Sequence, residues 1–146
     1  MPRPDDEKNT VLAMIETHVG PTRSAHGRHW WRLTRDFSIS VFITYSGSDP
    51  PWYDLSPRDL GQWLAYRQAF VAFVIGDHTE VLIVPALDVQ ELIQELKRNG
   101  YDPAGYGDYK LHLVHRGGMY RFREAPSFDT AGFLNGYGRL GGANRA

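Results

Sequence analysis

Two apolar runs that lie close together, Phe70-Val71-Ala72-Phe73-Val74-Ile75 and Val81-Leu82-Ile83-Val84, show no polar residue at alternate positions. Side chains of a strand point to its two faces in turn, so an unbroken apolar run marks a strand covered on both sides. These segments, joined by residues 76–80, are expected at the centre of a sheet with other elements packed on each face.

Candidates for that cover follow from helix signals. A first helix should begin near Pro4, with Asp5, Asp6 and Glu7 at the positive end of its dipole and Val11, Leu12, Ile15 and Val19 forming one stripe. Gly20-Pro21 ends it. Ser56-Pro57-Arg58-Asp59 has the form of a helix start, with Ser56 capping and Leu60, Trp63 and Leu64 on the buried side. Asp88 and Glu91 form a capping-box-like pair, and Leu87 and Leu92 suit a hydrophobic staple. Val89, Leu92, Ile93 and Leu96 then mark a stripe that ends at Asn99-Gly100, and a short further helix is expected over residues 129–135.

Residues 22–28 read as a polar link, and two strands, 29–34 and 38–45, follow around a turn at Arg35, Asp36 and Phe37. That turn sets Leu33 opposite Ile39 and Trp31 opposite Val41. Residues 46–51 and 101–108 read as loops. A second hairpin, 109–116 and 119–124, turns at Gly117-Gly118, which suits a two-residue primed turn. The expected fold class is α+β: one domain over residues 1–146, a mixed sheet of about six strands built from hairpins, three to four flanking helices, and a Gly-rich tail, 138–146, that frays.

Length and composition agree with that picture. A chain of 146 residues buries about 70% of its unfolded surface, and an apolar share of 42% argues against disorder. Cysteine is absent, which removes disulfides, zinc-thiolate sites and a cysteine nucleophile and fits the cytoplasm. The first residues lack the basic start and apolar run of a secretory signal, and no apolar stretch approaches the roughly 20 residues that span a bilayer. No membrane partner is expected. A net charge of −1 supplies no whole-molecule field for nucleic acid, so any such site has to be local.

The second hairpin offers one. Pairing Arg116 with Met119 brings Lys110, His112, Arg116, Arg121 and Arg123 to one side, with Tyr109, Leu111, Leu113, His115, Tyr120 and Phe122 on the other. The cationic side suits a phosphate backbone. Its alternative is the solvated face of an antiparallel sheet. Trp52 and Tyr53, leaving a Pro-rich loop, are the aromatics best placed to stack on bases, although aromatics on periodic faces are more often core.

Metal and acid-base readings are weaker. His112 and His115 face opposite ways on one strand. His26 and His29 straddle a loop and have no acidic partner in sequence. Asp77, His78 and Glu80 fit turn chemistry better than a site. Asp54 suits either a cation or a structural hydrogen bond at the following helix. The glycines of Gly136-Tyr137-Gly138-Arg139 lack the Lys-Ser/Thr of a phosphate loop.

Residues 30–96 resemble the PD-(D/E)XK restriction-endonuclease-like fold. The likeness lies in the order of elements: the hairpin over 30–45, the Ser56-Pro57-Arg58-Asp59 helix, the buried strand 70–75, and Val81-Leu82-Ile83-Val84-Pro85 before a new helix. In that family the strand matched by Val41-Phe42-Ile43-Thr44-Tyr45 carries an acid and, two residues later, a lysine. Phe42 and Thr44 stand there, and Asp36 is the only nearby upstream acid. The resemblance therefore implies a catalytically degenerate relative with a nucleic-acid role in a defence or processing assembly.

The leading expectation is a non-catalytic nucleic-acid-binding module, without metal or cofactor, in which Lys110, His112, Arg116, Arg121 and Arg123 contact phosphates of DNA or RNA and Trp52 and Tyr53 stack. A divalent-metal nuclease using Asp54, Asp77 and Glu80, and a protein-interaction subunit of a larger complex, are the alternatives.

Overall fold

Strand β5 (Gln68–Ile75) lies between β3 (Ile39–Ser46) and β6 (Asp77–Pro85), and its alternate residues belong to two separate cores. Phe70, Ala72 and Val74 join Ile39, Val41 and Ile43 of β3 beneath α1 (Pro4–Val19), which contributes Val11 and Ile15. Val71, Phe73 and Ile75 face the other way, towards α2 (Pro57–Trp63), α3 (Ala86–Arg98) and a second sheet. The unbroken apolar run thus arises because both sides of the strand are dry.

The computed structural model describes residues 3–103 and 107–140. Within them stand three helices and eight strands, arranged as one α+β domain. The five-stranded sheet has the order β1-β2-β3-β5-β6, with β1 (Thr22–Ala25) and β2 (Arg28–Thr34); the three-stranded sheet has the order β4-β7-β8, with β4 (Trp52–Leu55), β7 (Tyr109–Arg116) and β8 (Met119–Phe122). No helix of the described residues is long and apolar enough to cross a membrane.

Several local expectations change. The sheet is not built from hairpins alone, because β3 pairs with β5 in parallel across a connection that carries β4 and α2. β6 is an edge strand, and the chain covers its open side: Ile83 N–H donates to Phe133 O (2.9 Å), Asn135 N–H to Val81 O (2.6 Å), and Val81 N–H to Asn135 Oδ1 (3.0 Å). That cover replaces the helix expected over 129–135, since backbone groups used along a sheet edge cannot close a helical ladder. Leu140 is buried and Tyr137–Arg139 forms a 3-10 turn, so the expected tail packs through residue 140; residues 141–146, and 104–106 of the expected loop, lie outside the described residues.

The polar link is β1, and the register of the first hairpin is shifted by one: Trp31 faces Phe42, Arg32 faces Val41 and Leu33 faces Ser40. The turn holds one more residue than expected. Asp36 Oδ1 accepts from Ser38 N–H (3.1 Å), Ser38 Oγ (2.7 Å) and Thr34 Oγ1 (2.9 Å), while Phe37 takes φ of 61° and stands exposed. Trp31 and Leu33 then fall on the α2/α3 side, and Trp31 Nε1 donates to Ser40 Oγ (2.6 Å).

The α2 start is as expected, with Asp59 N–H donating to Ser56 Oγ (3.1 Å). Helix α3 begins two residues before Asp88, capped by Pro85, which offers no side-chain acceptor; Leu87 is exposed rather than stapled. Its end follows expectation, because Gly100 at φ of 85° lets Tyr101 N–H reach Leu96 O and its own N–H reach Lys97 O.

The start of α1 is tied to the start of β6. Glu7 Oε1 accepts from His78 Nδ1 and from His78 N–H, each at 2.8 Å. These bonds, the side-chain one first, hold the Glu7 carboxyl below its usual value of 4.5. A lowered folded pKa stabilises above the unfolded value and ceases to do so as pH falls through the folded one. Thermal midpoints measured from neutral pH down to about 3 should therefore fall less steeply on the acid side in Glu7→Gln than in the wild type.

Candidate functional site

The cationic hairpin face forms with the expected pairing. Gly117 and Gly118 both take positive φ (59° and 81°), and Arg116 stands opposite Met119 and Val114 opposite Arg121. Most of its cations have partners within the chain, however. Glu124 is buried and accepts from His112 N–H (Oε1, 2.8 Å), His112 Nδ1 (Oε2, 2.7 Å) and Arg123 Nη2 (Oε2, 3.3 Å). Arg121 Nη1 donates to the carbonyls of Pro126 and Phe128, each at 3.3 Å. Lys110 Nζ lies 4.3 Å from the Trp52 ring centroid. Arg116 alone of the five is exposed and has no partner among the described residues. Sequence periodicity placed the side chains on the correct face but could not show that Glu124 closes beneath them.

The two proposed stacking aromatics separate. Trp52 is 38% exposed, but Tyr53 is 2% exposed and its hydroxyl donates to Val74 O (2.8 Å). The segment that read as a loop exit is strand β4, paired with β7 from Trp52↔His112 to Leu55↔Tyr109. Alternation along it turns Trp52 and Asp54 outward and Tyr53 and Leu55 inward.

The carboxylates of the metal reading are also dispersed. Asp77 Oδ1 accepts from Thr79 N–H (2.8 Å) and Thr79 Oγ1 (2.5 Å), local bonds at the start of β6. Glu80 Oε1 accepts from the Tyr120 hydroxyl (2.9 Å), whose pKa is pushed up to about 12 by burial first and by that bond second. Asp54 lies on β4, across from Lys110. His26 stacks on Trp31 and His29 sits edge-on to Trp30. Among the described residues, no three His, Asp or Glu side chains stand close enough together to hold a metal ion.

What the chain does assemble is a cleft of about 420 Å³ where the end of β3 meets β4 and the start of α2. Its walls carry Phe42, Tyr45, Trp52 and Trp63, its polar groups include Thr44, Ser46 and Ser56, and three carboxylates, Asp54, Asp59 and Asp108, face one guanidinium, Arg28. Ser46 Oγ, accepting from Trp52 N–H (3.0 Å) and Ser48 N–H (3.3 Å), fixes the loop that forms one lip. Arg28 Nη1 donates to Asp59 Oδ2 (2.8 Å) while its guanidinium lies 5.0 Å from the Phe42 ring centroid. That leaves Asp54 and Asp108 without an ion pair among the described residues. Trp63, ring centroid 5.1 Å from that of Phe42, is buried, and its indole N–H finds no acceptor among the described residues. Unpaired buried donors are uncommon because they forgo their hydration without a replacement.

Phe42 and Thr44 stood out in the sequence as positions lacking an acid and a lysine; both line this cleft. Asp59 was legible as a helix-start residue, whereas Arg28 and Asp108 carried no local signal, since the first belongs to β2 and the second precedes β7. No protein-family model matches the chain, and neither a curated protein nor a solved structure matches it.

Proposed function

We propose that this chain is a non-catalytic protein-interaction module whose cleft between β3, β4 and α2 receives a basic side chain of a partner. The observation that carries this reading is the lining: aromatic walls with Asp54 and Asp108, which form no ion pair among the described residues. A guanidinium or ammonium gains from both features, by charge-assisted hydrogen bonds to carboxylate and by contact with a ring face. The chain itself supplies the pattern, because Arg28 lies on Phe42 and pairs with Asp59 in the same cleft.

The nucleic-acid reading retains one specific observation, the exposed Trp52 on the same face as Lys110 and Arg116. An NMR titration with acetyl-arginine amide separates the two. The indole N–H signals of Trp52 and Trp63 should move to saturation, and Asp54→Asn with Asp108→Asn should weaken binding about tenfold, the scale of a lost charged hydrogen bond. Equal shifts with acetyl-glutamate amide, or no shifts, would overturn the reading. Salt-sensitive binding of a single-stranded oligonucleotide that Trp52→Ala removes would assign the function to nucleic acid instead.

A further inference from the structure

A second groove, of about 460 Å³, lies towards the other end of the central strands, where β5 begins, β6 ends and α3 starts. Its floor and walls are mainly apolar, from Leu64, Phe70, Pro85 and Leu87. Leu87 is 68% exposed, the most exposed large apolar side chain among the described residues. With the apolar floor beside it, Leu87 offers a contact surface to a ligand in the groove.

The charged side chains that line this groove are Arg67 and Arg139; Asp88, in the first turn of α3, stands near enough to act on Arg139 electrostatically but is not part of the lining. Arg67 is exposed and has no ion pair or hydrogen bond among the described residues. Arg139 is held in place, its Nε donating to Gly132 O (3.0 Å) and its guanidinium lying 5.0 Å from the Phe133 ring centroid, with no carboxylate within ion-pair distance among the described residues. The 13-residue α3 begins at the same lip, and its cap residue Pro85 gives no side-chain acceptor to the first-turn N–H groups. Two guanidiniums and the positive end of a helix dipole favour an anion at this place.

We propose that this groove binds a small organic acid: an apolar body against Phe70, Leu64 and Leu87, with its carboxylate held by Arg67 and Arg139. The volume falls in the range of small-molecule sites, roughly 300–1,000 Å³. This site is separate from the acidic cleft and does not rest on the function proposed for it; the two have opposite charge preferences.

The test is a titration of the full chain with naphthoate and with its neutral twin, naphthyl methanol, followed by backbone amide NMR. Naphthoate should shift the Leu87 and Asp88 amides and bind about tenfold more tightly than the alcohol. Arg67→Ala should reduce naphthoate binding towards that of the alcohol while leaving the alcohol unchanged. Leu87→Asp should weaken both. Because Arg67 and Leu87 are exposed, neither substitution disturbs the core, and unchanged spectra elsewhere verify this. Equal affinity for acid and alcohol, shifts confined to the Trp52 and Trp63 cleft, or no binding of either compound would each overturn the proposal.

Discussion

Replacing Phe73 with alanine should lower the free energy of unfolding by about 3–5 kcal/mol, the range for deleting a buried aromatic ring. Phe73 is 1% exposed and projects from β5 into the core between the two sheets. Its ring meets Tyr53 of β4 edge-on at 5.0 Å and Phe122 of β8 at 5.6 Å. One side chain thus touches both outer strands of the smaller sheet, and its removal leaves a void that three rigid elements cannot close together. Urea unfolding checks the value, with Phe73→Leu as the control that retains most of the volume and should lose less. A loss for the alanine variant below about 1 kcal/mol would show that the two sheets are joined by other contacts.

Glu124→Ala should cost about 2–3 kcal/mol. Removing one partner of a buried ionic pair costs more, about 3–5 kcal/mol, but here Arg123 and His112 are partly open to solvent and recover hydration when released. What they cannot recover is the hydrogen bond of the His112 backbone N–H, which Glu124 Oε1 accepts just past Leu113↔Phe122, where the β7–β8 ladder ends. Amide hydrogen exchange at His112 should accelerate more than at Leu111 or Leu113, whose places in the sheet are unchanged. Glu124→Gln should recover part of the stability, because its amide oxygen can still accept that N–H while the charge is lost. Exchange at His112 equal to wild type would falsify the role given to the carboxylate.

Both effects bear on how far the sequence could be read. The ring of Phe73 stood in an apolar run, and that run alone required two covered faces; periodicity could not say that a second sheet lay on one of them. β4 escaped notice because it is four residues long, follows a proline pair, and pairs with β7, more than fifty residues later in the chain. β1 escaped because its outer side is solvent, so its composition is polar. The register of the first hairpin turned on a single backbone choice, the left-handed Phe37 that the Asp36 hydrogen bonds support. In the candidate cleft, Asp54 and Trp52 were legible as exposed polar and aromatic residues. Arg28, Asp59 and Asp108 come from three distant parts of the chain, and no local pattern relates them.

The sequence by itself determined what depends on neighbours along the chain: the Ser56 cap and the start of α2, the apolar stripe and glycine-ended terminus of α3, the two-sided burial of β5 and much of β6, and the Gly117-Gly118 turn that sorts β7 and β8 into an apolar and a charged face. Only the tertiary structure decided which charges remain available. Glu124 closes on His112 and Arg123, Arg121 turns to the carbonyls of Pro126 and Phe128, and Asp54 and Asp108 are left without ion pairs among the described residues in a cleft with aromatic walls. The physical reason is range. Caps, turns and periodic faces are fixed by bonds and sterics within a few residues, whereas the pairing of a charge depends on which distant groups the packed sheets bring within a few ångströms of it.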